Sequence, residues 1–293
     1  MLPDNTTPVQ QGQKSAGPAW EAPVQTGFPE STEPAPETSA EPAAKATLAD
    51  YLSSPTDVIL GVNVIIFLLM VVSARGFPDG ITGIRFGSNF TPLTLSGDWW
   101  RLITQNFIHF GVLHIVMNSL ALAPVAQTSE HWIGKFGLIG AYVSTGVCAG
   151  IASLLWHSDG INTAGASGAI FGLVGLNLGL VATGAIQSEN RSALLKDFGK
   201  FIFLGLLYGL SPGIDNAAHL GGLASGLLFS LWYVLALEKW VGMETKKAVC
   251  GILMLLTAFG AAVFFLSANT MSQTEREAVL KELQKIQSGV QQK

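Results

Sequence analysis

Two polar side chains stand inside apolar stretches of this chain, and together they have the chemistry to hydrolyse an acyl bond. Ser167 lies in the segment GASG (165–168), and His219 lies in the segment AHLGG (218–222). A serine hydroxyl becomes a strong nucleophile when a neighbouring base removes its proton, and a neutral histidine is the usual base. The apolar stretches contain no Asp or Glu to orient the imidazole, so the sequence predicts a dyad and not a triad.

A second pair of polar residues, His114 and Asn118, is spaced i, i+4 and therefore shares one face of a helix. Both side chains can donate hydrogen bonds to the oxyanion of a tetrahedral intermediate. Plainer interpretations stay open at this point, since this pair also suits an interhelical hydrogen bond and Ser167 suits close helix packing. His219 weighs against them, because an ionisable group within the membrane is by default a functional one.

The elements that carry these residues are apolar enough to be membrane helices. The chain has 293 residues, of which 49% are hydrophobic and 12% are charged, and its mean hydropathy is +0.42. About 20 apolar residues cross the hydrocarbon core of a bilayer. Six long stretches contain no Asp, Glu, Lys or Arg: 58–74, 111–126, 136–156, 163–187, 216–237 and 248–268. With a shorter seventh stretch at 201–211, the sequence predicts an all-α, polytopic membrane helix bundle of seven transmembrane helices.

Small residues surround both candidate reactive side chains. Gly168 and Gly172 follow Ser167 at i, i+4 spacing, and Gly222 and Gly226 follow His219 on one helical face. Such faces let membrane helices approach closely enough for a direct contact between side chains near their ends. We therefore expect the fourth and sixth helices to pack against each other, with serine and histidine at a similar depth near the outer surface.

The two ends of the chain differ from the apolar middle. Residues 1–57 hold nine of the 13 prolines, eight acidic residues and two lysines, which is typical of a disordered acidic tail. The short loops on one side carry seven Lys and Arg residues and those on the other side three, so the positive-inside rule predicts a cytoplasmic N-terminus. Residues 238–271 are then a linker and an additional transmembrane helix. Residues 272–293 are a polar outer tail, either a short amphipathic helix or a frayed segment.

The polar motifs, in their order along six helices, resemble those of the rhomboid intramembrane serine proteases. The resemblance covers about residues 58–237, and it implies a rhomboid-like six-helix core with a seventh, C-terminal transmembrane helix. The motifs that carry it are Trp100-Arg101, His109-Phe110, HIVMN (114–118), GASG (165–168) and AHLGG (218–222).

The resemblance also implies roles for individual residues. Ser167 would be the nucleophile and His219 the general base, while the Ser167 backbone amide, His114 and Asn118 would form the oxyanion hole. Phe171 stands where many members have a tyrosine whose ring packs on the catalytic histidine. Trp100 and Arg101 would anchor the long loop of residues 75–110, which we call the first loop. The supporting residues are then Gly165, Phe171, Gly222, Trp100 and Arg101.

The sequence therefore predicts an intramembrane serine endopeptidase that cleaves single-span membrane proteins near the outer membrane face, in a bacterial inner (plasma) membrane. We expect transmembrane protein substrates and membrane lipids as partners, and neither nucleic acid nor a metal or other cofactor. No phosphate-binding loop is present, and Cys148 and Cys250 lack the spacing of a metal site or a disulfide framework. The resemblance implies that the fifth helix and the Ser211–Asp215 connection move as a substrate gate.

Two other classes of function are alternatives. A non-catalytic rhomboid-like protein that binds membrane clients typically lacks the serine or the histidine, whereas this chain has both. A small transporter or channel would spread polar residues through the depth of the membrane, often with an internal repeat. Here the polar residues gather toward one face, which favours the protease.

Overall fold

A computed structural model describes residues 54–157, 159–235 and 243–291, and it is built almost wholly of helices. Most of the predicted acidic tail and the linker at 236–242 lie outside the described residues. The helices, in chain order, are α1 (Pro55–Ala74), α2 (Gly80–Phe86), α3 (Thr91–Leu95), α4 (Arg101–Thr104), α5 (Val112–Trp156), α6 (Ser167–Ala182), α7 (Arg191–Tyr208), α8 (Asn216–Leu235), α9 (Met243–Ala268) and α10 (Gln273–Gln291). A 3₁₀ turn, Gln105–Phe107, follows α4. Two short strands, β1 (Asn89–Phe90) and β2 (Asn162–Thr163), pair antiparallel.

Helix α5 spans 45 residues but is two antiparallel membrane helices joined at Gly134. The backbone of Gly134 has φ 72° and ψ 174°, a conformation that glycine adopts readily and other residues avoid. In the first half, Val125 accepts a hydrogen bond from the amide of Asn177, near the end of α6. In the second half, Thr145 donates to the carbonyl oxygen of Ala169, near the start of α6. The stretches predicted as separate helices, 111–126 and 136–156, are these two halves.

Helix α6 is the centre of the bundle. Thirteen of its 16 residues are buried, although nothing in its sequence marks a polar and an apolar face. An apolar helix that is buried all round is expected at the core of a helix bundle. It contacts both halves of α5, as well as α7 and α8. Its ends fall inside the predicted stretch 163–187, because residues 162–163 form β2 and a turn follows Ala182.

The outer helices present apolar side chains to their surroundings, as a lipid-facing surface must. Within the described part of the chain, four helices are long and apolar enough to cross a membrane, and they are Pro55–Ala74, Val112–Trp156, Asn216–Val234 and Lys247–Ala268. Exposed side chains on them include Leu68, Val72, Leu228 and Phe264. The bundle is therefore that of an integral membrane protein with an all-α, polytopic architecture.

Helix α7 differs from its prediction in extent. The apolar stretch suggested 201–211, whereas the helix begins ten residues earlier at Arg191 and ends at Tyr208. Its N-terminal half is charged, but Arg191 lies close enough to α6 to donate to the carbonyl oxygens of Val181 and Ala182. No residue of α7 is fully buried, so this helix lies on the outside of the bundle.

Candidate active site

The N-terminal ends of three helices converge at one end of the bundle. The first half of α5 and the whole of α8 run parallel to α6, since successive residues of each meet successive residues of α6. His114 is the third residue of α5, Ser167 is the first of α6 and His219 is the fourth of α8. Each helix N-terminus carries about half a positive charge on its free backbone N–H groups. The site thus concentrates donors that favour a negative charge.

Ser167 is held through the segment before it. Gly165 has φ +127°, a conformation that L side chains rarely adopt, and its N–H donates to the carbonyl oxygen of Gln105 at 2.9 Å. The N–H of Ala166 donates to Nε2 of His109 at 3.4 Å. Ser167 itself is half-buried. The first loop therefore fixes the turn from which Ser167 enters α6.

Close packing of glycines brings the segments around Ser167 and His219 together. A Cβ atom on Gly222 would overlap the carbonyl oxygen of Gly168, and one on Gly226 would overlap that of Gly172. At the level of Ser167, a Cβ on Gly168 would lie 3.8 Å from the Cβ of Ala218, the residue before His219. Helices α6 and α8 thus meet backbone to backbone, which only glycine allows at Gly222 and Gly226.

His219 is buried and oriented on two sides. Its ring stacks on Phe171, with centroids 4.3 Å apart and an interplanar angle of 8°. Its Nδ1 lies 3.1 Å from Oδ1 of Asn216, whose Nδ2 donates to the carbonyl oxygen of Leu206 at 3.2 Å. Because that donation fixes which end of the amide faces the ring, Oδ1 must accept from Nδ1–H. The remaining nitrogen, Nε2, then carries the lone pair that a general base needs.

Asn216 is the residue that sequence reasoning missed in this role. It has no part in the chemistry predicted from the sequence, whereas the structure makes it the hydrogen-bond partner of His219. Its position three residues before His219, on the same helical face, was the available signal.

His114 and Asn118 both approach the segment before Ser167. A Cβ on Gly165 would lie 2.6 Å from Nε2 of His114 and 3.9 Å from Nδ2 of Asn118. Nδ1 of His114 accepts a hydrogen bond from the N–H of Phe110 at 3.2 Å, so the ring proton of the neutral form is on Nε2. The Asn118 amide donates to the His114 carbonyl at 2.9 Å, and its Oδ1 has no partner among the described residues. Two N–H donors thus stand beside Gly165.

His109 is a structural contact of this site. Its side chain is fully buried, and its ring meets the His114 ring edge-on with centroids 5.0 Å apart. Burial lowers the pKa of His109 to about 3, so the ring is neutral at pH 7 and can accept the hydrogen bond from Ala166. The sequence marked His109 only as part of a motif, and the structure shows that it supports the turn before Ser167.

Trp100 and Arg101 lie in the first loop, away from the serine and the histidines. The buried Arg101 guanidinium donates to the carbonyl oxygens of Ile84 and Ser88 and pairs with Asp98. Burial lowers the pKa of Arg101, and the Asp98 carboxylate offsets part of this effect. The guanidinium also lies 4.7 Å from the centroid of the Trp100 ring. These contacts hold the loop together and involve no reacting group.

Asp215 caps α8 next to the site. One carboxylate oxygen accepts from the N–H of Ala218 at 3.0 Å, and the other accepts from the hydroxyl of Ser153. The carboxylate therefore ties the start of α8 to the second half of α5. No group of three His, Cys, Asp or Glu side chains that could hold a metal ion occurs in the described ranges.

Comparison with known proteins shows which family this chain is similar to. The model of the rhomboid domain matches residues 96–236. The chain is 30% identical to rhomboid protease GluP of Bacillus subtilis over 230 residues, which are 77% of this chain and 42% of that protein. It is 28% identical to rhomboid protease AarA of Providencia stuartii over 244 residues, 75% of this chain and 86% of that protein. It is 29% identical to the putative rhomboid protease YdcA of Bacillus subtilis over 185 residues, 62% of this chain and 89% of that protein.

The domain match, residues 96–236, spans the helices that carry the converging N-terminal ends. The chain spans less than half the length of GluP but most of AarA and of YdcA. The domain match and the names of these relatives both indicate rhomboid proteins, and the helical architecture is consistent with them. The findings support a rhomboid family protein.

Proposed function

We propose that this protein is an intramembrane serine endopeptidase in which Ser167 and His219 form the catalytic dyad. The observation that carries the proposal is the glycine-mediated contact of α6 and α8, which gathers the first turns of both helices at one end of the bundle. The names of the relatives support the same reaction class, since several are rhomboid proteases.

The geometry supports a defined sequence of proton transfers. Nε2 of His219 takes the proton of the Ser167 hydroxyl as the oxygen attacks the carbonyl carbon of the substrate. His219 then gives that proton to the leaving amine, and the acyl group stays on Ser167. A water molecule, deprotonated by the same nitrogen, releases the acyl group and regenerates the serine. Asn216 holds the ring in the tautomer that both steps require.

The oxyanion of each tetrahedral intermediate needs donors that are already in place. We assign this role to the backbone N–H of Ser167, Nε2–H of His114 and the amide of Asn118. The positive end of α6 adds to their effect, because Ser167 is the first residue of that helix. Removal of one such donor typically costs about 10²- to 10³-fold in rate.

Substrates of this site are proposed to be single-span membrane proteins that are cut near the outer membrane face. The charge distribution supports a cytoplasmic N-terminus, which puts the converging helix ends on the outer side, where water can reach them. We also propose a bacterial inner membrane as its location, since several of the relatives come from bacteria.

Entry of a substrate helix is proposed to occur beside α7. This helix has no fully buried residue, and near its C-terminal end it meets α6 at Gly205, which packs on the ring of Phe171. A disulfide crosslink between α7 and the first half of α5 should therefore stop cleavage of transmembrane substrates and leave Ser167 reactive toward a small probe. Cleavage that continues in the crosslinked protein would rule out this route.

Fluorophosphonate labelling and cleavage of a model single-span substrate test the proposal, with wild type and Ser167→Ala compared in membranes. We expect both signals to vanish in the variant. The matched control is Ser267→Ala, because that serine is exposed on α9 and donates only to the Phe264 carbonyl. Cleavage that survives in Ser167→Ala would overturn the assignment of the nucleophile. A folded wild type without labelling or cleavage would instead support binding of membrane clients without catalysis.

A further inference from the structure

The C-terminal helix α10 docks on the first loop through backbone and side-chain hydrogen bonds. The N–H of Met271 donates to the carbonyl oxygen of Leu95 at 2.9 Å. Nη1 of Arg276 donates to the carbonyl and the hydroxyl oxygen of Ser96, both at 3.2 Å, and Nη2 donates to Oδ1 of Asp98 at 2.8 Å. Arg276 lies well beyond residue 236, where the match to the rhomboid domain ends.

Asp98 forms ion pairs with two guanidinium groups. Its Oδ1 pairs with Arg276, and its Oδ2 pairs with Nε of Arg101 at 3.1 Å. The side chains of Asp98 and Arg276 are only 16% and 24% exposed, so water screens this network less than a surface ion pair. Arg101 in turn donates to carbonyl oxygens of the first loop at Ile84 and Ser88. The tail helix is thus linked to the residue that holds the loop in shape.

The first loop also forms hydrogen bonds with the segment of the chain just before Ser167. Strand β1 pairs with β2, and the N–H of Thr91 donates to the carbonyl oxygen of Ile161 at 3.0 Å. At the other end of the loop, the carbonyl of Gln105 accepts the N–H of Gly165. Any loosening of the loop therefore reaches the turn that sets the position of the serine.

We propose that Arg276 is a positioning residue, which clamps the first loop through Ser96 and Asp98 and thereby fixes the segment that leads into Ser167. The docking of α10 on the loop stands independently of catalysis. Its effect on reactivity rests on the function proposed above. Arg276 touches no reacting atom, so it acts only through the loop.

Hydrogen exchange of the full-length protein in lipid nanodiscs tests the docking. In Arg276→Gln we expect amides in residues 84–105 to exchange about fivefold faster than in wild type, because the ion pair and two hydrogen bonds to Ser96 are lost. The exchange rate in Arg276→Lys should fall between these two. A lysine keeps a positive charge for Asp98, but it cannot contact Ser96 and Asp98 through two nitrogens of one guanidinium group. The matched control is Lys281→Gln, which removes an exposed cation from the same helix and should leave exchange unchanged.

Fluorophosphonate labelling of Ser167 tests the effect on the site. We expect the labelling rate of Arg276→Gln to fall about fivefold, and we expect cleavage to fall through a lower kcat at unchanged KM. Unchanged exchange in Arg276→Gln would overturn the docking. Faster exchange with unchanged labelling would overturn the positioning role. A wild type that shows no labelling at all would count against the proposed protease, while the exchange experiment would still decide the docking.

Discussion

The ring of Phe171 lies face to face with the imidazole of His219, 4.3 Å away and inclined by 8°. One comes from the second turn of α6 and the other from the first turn of α8, so the stack fixes both the separation and the relative rotation of these helices. Asn216 holds the edge of the same imidazole. A flat ring on one face and an amide on one edge leave His219 little freedom to turn away from α6.

Phe171→Leu should lower the reactivity of Ser167 more than it lowers the stability of the protein. Phe171→Leu keeps most of the packing volume but removes the flat surface, so we expect labelling of Ser167 to slow about tenfold, the equivalent of one aromatic pair. Phe171→Ala also leaves a cavity beside Phe201 and Gly205, and it should destabilise the protein by about 3 kcal/mol. Labelling rates and thermal unfolding in detergent measure the two effects. Wild-type labelling in Phe171→Leu would show that the stack does not orient the histidine.

Asn216→Ala should slow the reaction with little loss of stability. The change removes the acceptor that keeps the proton on Nδ1 of His219, which frees the ring to adopt the tautomer that cannot act as a base. We expect the rate of Ser167 labelling to fall about tenfold or more, because that change in rate corresponds to the free energy of one buried hydrogen bond. Asn269→Ala is the control, since that side chain donates to the Phe265 carbonyl in α9. Equal labelling rates in Asn216→Ala and Asn269→Ala would show that Asn216 does not position His219.

Much of the fold was predictable from the sequence because hydropathy is a local property. The absence of charge over each apolar stretch located the membrane helices, and His219 stood out because ionisable side chains are rare inside such stretches. The two halves of α5 were separated by Lys135, next to the joint at Gly134. The fold class therefore followed from composition along the chain.

The contacts that position the site were not predictable in the same way. The spacing of Asn216 from His219 is visible in the sequence, but the donation to Leu206, on a different helix, that fixes its amide is not. Arg276 looks like one more charge of a polar tail, and its partner Asp98 lies in a loop far away along the chain. Pairings of this kind depend on how helices and loops meet in space, which periodicity and hydropathy do not encode. Sequence reasoning accordingly found the residues proposed for the chemistry and supporting residues such as Phe171 and Gly222, but it missed Asn216 and Arg276.

Gly222→Ala should separate α6 from α8. The added methyl group would run into the carbonyl oxygen of Gly168, which belongs to a helix backbone and cannot move aside alone. We expect a loss of about 2 kcal/mol or more and no labelling of Ser167. Gly260→Ala is the matched control on α9, where the methyl group meets nothing within 4 Å, and it should be neutral or stabilising by up to about 1 kcal/mol. A stable, fully reactive Gly222→Ala protein would contradict the backbone-to-backbone packing.

Gly165→Ala tests the turn before Ser167 in two respects at once. Its φ of +127° is strained for any residue with a side chain, and the new methyl group would lie 2.6 Å from Nε2 of His114. Gly184→Ala separates these effects, because Gly184 also has a positive φ of +78° but has open space around it at the far end of α6. Both variants should lose about 1 kcal/mol of stability to backbone strain. Only Gly165→Ala should also abolish labelling, since it displaces a proposed oxyanion donor and the chain that carries the nucleophile. If Gly165→Ala labels as fast as Gly184→Ala, His114 does not stand beside the reacting group.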